Sequence, residues 1–84
     1  MANAPFVMPA MTPVVSSNLA AVGHTGDSLV VQFKPKADGA PGPTWIYRGV
    51  PESHAQEIIK AASPGGMYHR LIKGAHVPGE KIEG

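Results

Sequence analysis

Trp45 and Tyr47, separated by one residue, and the three cations Arg48, Arg70 and Lys73 are the side chains of this sequence whose types and spacing suit a defined chemistry. Alternate residues of a strand share a face, so the two rings would form a platform on which nucleobases stack. The cations would supply phosphate contacts, Arg70 and Lys73 standing one helical turn apart. The competing reading, taken first, puts the aromatic pair inside as the anchor between sheet and helices. With five aromatic residues in 84, a small domain has few other large side chains to bury. The cations likewise read first as a solvated face with charge compensation at a helix C-terminus.

The remaining candidates carry less. His69 and His76 stand seven residues apart, with no carboxylate or cysteine at ligand spacing, and read as surface histidines. Ser16-Ser17-Asn18 has no adjacent base to make a nucleophile and suits a cap or a closed sheet edge. Gly65-Gly66 before a helix offers backbone N–H groups to an anion, but a glycine pair more often makes a turn. No catalytic constellation, metal site or cofactor motif emerges, so the expectation is a protein without enzymatic activity, metal or cofactor.

Strands and helices must position these residues. Leu29, Val31 and Phe33 alternate with Val30, Gln32 and Lys34, the period of a half-buried strand. "HTGD" ahead of it is turn chemistry, and a partner strand over about 18–24 offers either Leu19, Ala21 and Gly23 or Ala20 and Val22 to the core. "KADGAPGP" (36–43) is a Pro/Gly loop, and "TWIYRGV" (44–50) is a third strand. Pro51 suits a first helical position, Ser53 and Gln56 have capping-box spacing, and Ala55, Ile58, Ile59 and Ala62 form one apolar face. "SPGG" (63–66) stops this helix, and "MYHRLIKG" makes a second. The predicted fold is α+β: a three-stranded antiparallel meander with two short helices on one face, the other face wet or meeting a partner.

Composition narrows the partners. The net charge of +1 gives no strong reason to expect a polyanion. Residues 16–77 carry six Lys and Arg against four Asp and Glu, a thinner basic stripe than nucleic-acid binders usually show. Cysteine is absent, which excludes disulfides and fits a reducing compartment. A chain of this length buries only about 60% of its unfolded surface, so association with other chains is the reinforcement left open.

"ANAPFVMPAMTPVV" (2–15) is uncharged, with a proline every fourth residue. It lacks the basic start of a secretion signal, and its prolines interrupt any apolar helix long enough to span a bilayer, so no membrane partner is expected. Each proline fixes φ and removes a donor, leaving an extended arm. Phe6, Val7, Met8, Met11, Val14 and Val15 are the wrong composition for a disordered linker and need a surface, either their own domain or a neighbour's. The chain thus divides into an arm (1–15), a body (16–74) and a tail (75–84) read as irregular.

The body resembles the KTSC domain, a small module found alone in bacterial and phage proteins and at the C-terminus of some lysyl-tRNA synthetases. The resemblance rests on Ser16-Ser17-Asn18-Leu19, the strand ending in Tyr47 that runs on into Val50-Pro51, and Ser63-Pro64-Gly65 through Ile72-Lys73-Gly74. The family's central Tyr-x-Tyr is here Trp45-Ile46-Tyr47, its usual asparagine in the closing segment is His69, and residues 36–43 lengthen a turn. The resemblance implies no enzymatic reaction, and it suggests RNA binding through the synthetase connection.

Together these readings lead first to a non-enzymatic structural or interaction protein. Its arm would dock on neighbouring copies or a larger scaffold, in the cytoplasm or in a phage virion as a capsid-decorating or minor structural component. The alternative is a small RNA-binding module using Trp45, Tyr47, Arg48, Arg70 and Lys73.

Overall fold

A computed structural model of the chain describes residues 9–35, 39 and 42–83. Five antiparallel strands pair in sequence order: β1 (Thr12–Pro13), β2 (Leu19–Thr25), β3 (Ser28–Phe33), β4 (Thr44–Arg48) and β5 (Glu80–Glu83). Helices α1 (Glu52–Lys60) and α2 (Pro64–Tyr68) sit between β4 and β5, and α2 runs on as a π-helical turn over His69–Lys73. The fold class is α+β, but the expected three-stranded sheet is corrected to five strands. The two additional strands come from the segments read as arm and irregular tail. Both are edge strands, held by ladder hydrogen bonds that any backbone except proline's N–H can make, so neither needs an apolar alternation to form.

The central hairpin forms for the reason the alternation gives. Thr25 pairs with Ser28 across Gly26-Asp27, and the register continues to Leu19 opposite Phe33. A bulge between Leu19 and Ala21 resets the alternation, so Leu19 joins Val22 on the helix-facing side while Ala21 turns to the other. Neither of the two expected inward sets of this strand therefore holds whole. Leu19, Val22, Leu29, Val31, Tyr47 and Val50 pack with Ala55 and Ile58 of α1, and with Tyr68 and Ile72 beyond it. Each fully buried Leu, Ile or Val contributes ~1.5–3 kcal/mol.

The face away from the helices is buried at its centre, while Arg48 at its margin stays exposed. Val30 is 0% and Ile46 3% exposed, outside the helix-side core. Part of its cover is the arm. A β-carbon at Gly23 would lie 2.7 Å from Met11 Sδ, 3.0 Å from the Ala10 carbonyl oxygen and 3.0 Å from Pro9 Cγ, so residues 9–11 cross the sheet directly over Gly23. β1 follows along the edge of β2, and the Val14 N–H donates to the Ala20 carbonyl at 3.1 Å.

The helix boundaries differ from the predicted ones by local capping. Pro51 occupies the N-cap of α1, which places Ser53 inside the helix, and no side chain caps that end. Ala55 and Ile58 are buried and Ile59 half-buried, whereas Ala62 lies beyond the helix and is exposed. "SPGG" ends α1 and also opens α2: the Ser63 side chain accepts from the Gly66 N–H at 3.3 Å and Pro64 takes the first turn. The His24 ring donates from Nε2 to the Val50 carbonyl at 2.6 Å, tying β2 to the start of α1. Among the described residues, no helix is long and apolar enough to cross a membrane.

Candidate functional site

Between β4 and α2 the sheet and helices leave an opening of about 310 Å³. That is the lower end of the size range of small-ligand sites. Strand alternation sends Phe33, Trp45 and Tyr47 toward it from β3 and β4. Tyr68 closes α2 on the other side, and the π-helical turn adds His69 and Lys73. The Gly74 N–H donates to the His69 carbonyl at 2.7 Å, a span of five residues, and this wide turn leaves residues four apart on one side of the opening. Such turns recur at functional sites.

The rim is completed from the other end of the chain. Asn18 and Gly65 both line the opening, and a β-carbon at Gly65 would lie 2.5 Å from Asn18 Oδ1 and 3.0 Å from Ser16 Oγ. Only a glycine lets the turn before β2 come so close to the start of α2. Ser16 Oγ accepts from the N–H groups of Asn18 (3.3 Å) and Leu19 (3.2 Å) and donates to Asn18 Oδ1 at 2.9 Å. The expected capping role of Ser16–Asn18 is thus filled, and the turn also carries Asn18 into the site.

The rings form a connected set. Trp45 and Tyr47 stack with centroids 6.4 Å apart at 19°. Tyr68 meets Tyr47 at 5.9 Å and Phe33 at 5.7 Å, both edge to face. The Tyr47 and Tyr68 hydroxyls hydrogen-bond at 2.5 Å. Burial pushes both phenols above their usual range, and the shared hydrogen bond raises Tyr68 further while pulling Tyr47 back. Tyr47 is 4% exposed and Tyr68 3%, whereas Trp45 is only half-buried. Anchor and platform are therefore not exclusive: Tyr47 anchors, and Trp45 keeps part of its ring at the opening.

The predicted cations are separated. Lys73 reaches the aromatic opening, but Arg48 points from the opposite face of β4 and pairs with Glu80 of β5 at 2.8 Å. Arg70 borders a different depression with Ala61 and Met67, between α1 and α2. Period two in the strand sets Arg48 apart from Trp45 and Tyr47. Phe33, Tyr68, Asn18 and His69 were not among the predicted contacts. Phe33 shares the alternation of the core strand, but the contributions of Asn18 and His69 depend on long-range approach. His69 is exposed at the rim and His76 is exposed beyond the helix, with φ of 57°. Among the described residues no group of three or more His, Asp or Glu is placed to hold a metal ion.

Of the arm residues, Met11 is half-buried over Gly23, Val14 packs against the core and Val15 is 93% exposed. Phe6, Val7 and Met8 lie outside the described residues.

The KTSC domain pattern matches residues 15–76. Among solved structures, the crystal structure of a KTSC domain protein from Yersinia pestis is similar, at 34% identity and a TM-score of 0.67 over 86% of this chain and 94% of that one. No curated protein matches the chain. The segments that carry the resemblance, Ser16–Leu19, Trp45–Tyr47 and Ser63–Gly74, all contribute residues to the one aromatic opening.

Proposed function

We propose that this chain, which belongs to the KTSC domain family, is a binding module that takes bases of single-stranded RNA into the opening between β4 and α2. The observation that carries this reading is the meeting of a half-exposed Trp45 with Lys73 at one concave site. A base stacking on the indole gains about 1–3 kcal/mol, and the ammonium group at the rim neutralises a neighbouring phosphate. Binding through a single lysine and a small net charge would be weak for one module and fits an accessory role beside other contacts.

Trp45 is the only tryptophan, so its emission reports on the site directly. Titration with single-stranded decaribonucleotides is expected to quench it, with an affinity that falls as salt rises. Trp45→Ala, followed by a labelled oligonucleotide, is expected to lose most of the binding. Unchanged emission at millimolar oligonucleotide would sink the reading.

A second reading rests on Val15, among the described residues the large apolar side chain left most open to solvent, two positions after the edge strand β1. Here the chain is a structural component that docks through this edge and the arm preceding it on a larger scaffold or on neighbouring copies. A phage virion, with a capsid-decorating or minor structural part, is its narrower form, and the cytoplasm is the setting otherwise. Residues 9–14 already lie on their own domain, which leaves Val15 and the residues before Pro9 as the docking segment. Light scattering of the full chain, of Val15→Ser and of a chain lacking residues 1–8 tests it. Association in the first sample alone supports docking, and monomers throughout oppose docking between copies.

A further inference from the structure

The polar groups around the aromatic opening are unequally used. Three of its carbonyl acceptors already have donors. The Asn18 main-chain carbonyl takes the Lys34 N–H at 2.9 Å, and the Pro43 carbonyl takes the Phe33 N–H at 3.0 Å. Asn18 Oδ1 takes the Ser16 hydroxyl. That last bond also fixes the amide. Ser16 Oγ accepts from two backbone N–H groups, so its single proton must go to the oxygen end of Asn18, and the NH₂ end is turned away from Ser16.

The donors, by contrast, are in surplus among the described residues. The Asn18 NH₂ and the Lys73 ammonium have no protein acceptor there. The tyrosine pair adds a third donor by proton counting: two hydroxyls hold two protons, and only one lies between them. Whichever tyrosine donates, the other keeps a proton with no acceptor among the described residues, at side chains 4% and 3% exposed on the wall of the opening. A buried donor without an acceptor is costly, and rarer in folded proteins than an under-used acceptor.

We infer that the opening selects bases that turn carbonyl oxygens inward, and so prefers uracil to cytosine. The inference rests on the RNA reading above and adds to it what the site recognises. The two pyrimidines have the same ring size and nearly the same stacking face, so Trp45 does not separate them. They differ at positions 3 and 4, where uracil presents N3–H and O4 and cytosine a bare N3 and an amino group. Position 4 lies across the ring from the sugar bond, so a base entering with its sugar at the rim carries that position deepest. O4 accepts from the Asn18 amide or the tyrosine proton. An amino group in the same place meets donors, and whatever lone pair it satisfies on a tyrosine, the surplus proton stays unpaired.

Decauridylate and decacytidylate, titrated separately against Trp45 emission, test this directly. The expected result is tighter binding of decauridylate by roughly fivefold to tenfold. The ratio should fall toward one in Asn18→Ala and in the double variant Tyr47→Phe/Tyr68→Phe. Either tyrosine change alone should keep a preference, because one hydroxyl still has a proton to give. Asn18 is exposed, so Asn18→Ala keeps the test available if the double variant does not fold. Equal binding of the two oligomers, or a preference for uracil that both variants retain undiminished, overturns the inference and leaves the RNA reading standing. Quenching by neither oligomer overturns both.

Discussion

Gly23 on β2 leaves the space that the Met11 thioether occupies: a β-carbon at Gly23 would stand 2.7 Å from the sulfur. The arm is therefore fitted to its own sheet at this point. The missing side chain of one residue receives the side chain of another twelve positions earlier.

Gly23→Val should lower stability by about 1–3 kcal/mol, the usual penalty for crowding a packed contact. The backbone of Ala10 and the ring of Pro9 are also within 3.0 Å, so a shift of the methionine alone does not relieve it. In a chain lacking residues 1–11 the same substitution should cost less than ~0.5 kcal/mol, because nothing remains to collide with. Urea denaturation of the four proteins gives the coupling. An equal cost in both backgrounds would mean that the arm does not lie on Gly23 in solution.

Stability should fall at alkaline pH through the tyrosine pair. The chain has two tyrosines, Tyr47 and Tyr68, and both have raised pKa values in the folded state. An unfolded phenol ionises near pH 10, so above that the unfolded state binds fewer protons than the folded one and gains by the difference. The contribution is complete below pH 10 and is lost as pH climbs toward the folded values. Thermal melts from pH 9 to 12 should show a decline that Tyr47→Phe/Tyr68→Phe flattens, and phenolate absorbance should rise together with unfolding. Ionisation of both tyrosines near pH 10 in a folded chain would contradict the buried pair.

Salt dependence should single out Lys73. If its ammonium neutralises one phosphate of a bound strand, Lys73→Ala makes the log–log salt slope shallower by ~0.7. Arg48→Ala should leave the slope unchanged, since that guanidinium lies with Glu80 on the other face, and Arg70→Ala should do the same. A larger effect from either arginine would move the phosphate path away from the aromatic opening.

The two helix starts should respond differently to loss of a serine. Ser63 caps α2 through the Gly66 N–H, and Ser63→Ala should cost ~1 kcal/mol. Ser53 lies within α1 and makes no cap, so Ser53→Ala should stay within about 0.5 kcal/mol of wild type. Denaturant midpoints of the two variants, compared at unchanged m-values, decide it.

Much of the molecule was legible in its one-dimensional pattern. Leu29-Val30-Val31 with its turn, Trp45-Ile46-Tyr47, and the Ala55/Ile58 spacing each announce their element, because burying one face imposes a period of two or 3.6 on the residues that do it. The segments that resemble the KTSC domain marked the same stretch that the family pattern covers. The aromatic pair at the site was readable too, since alternation alone puts Trp45 and Tyr47 on one face.

The two outer strands were not legible. Thr12-Pro13 and Glu80-Lys81-Ile82-Glu83 have no apolar rhythm, and their place in the sheet depends on which backbone edge is within reach once the centre has formed. The bulge at Leu19, the separation of Arg48 from Lys73, and the approach of Asn18 to Gly65 are of the same kind. Each is decided by distances between residues far apart in the chain. Local periodicity fixes which way a side chain points, whereas only packing of the whole chain determines what it meets.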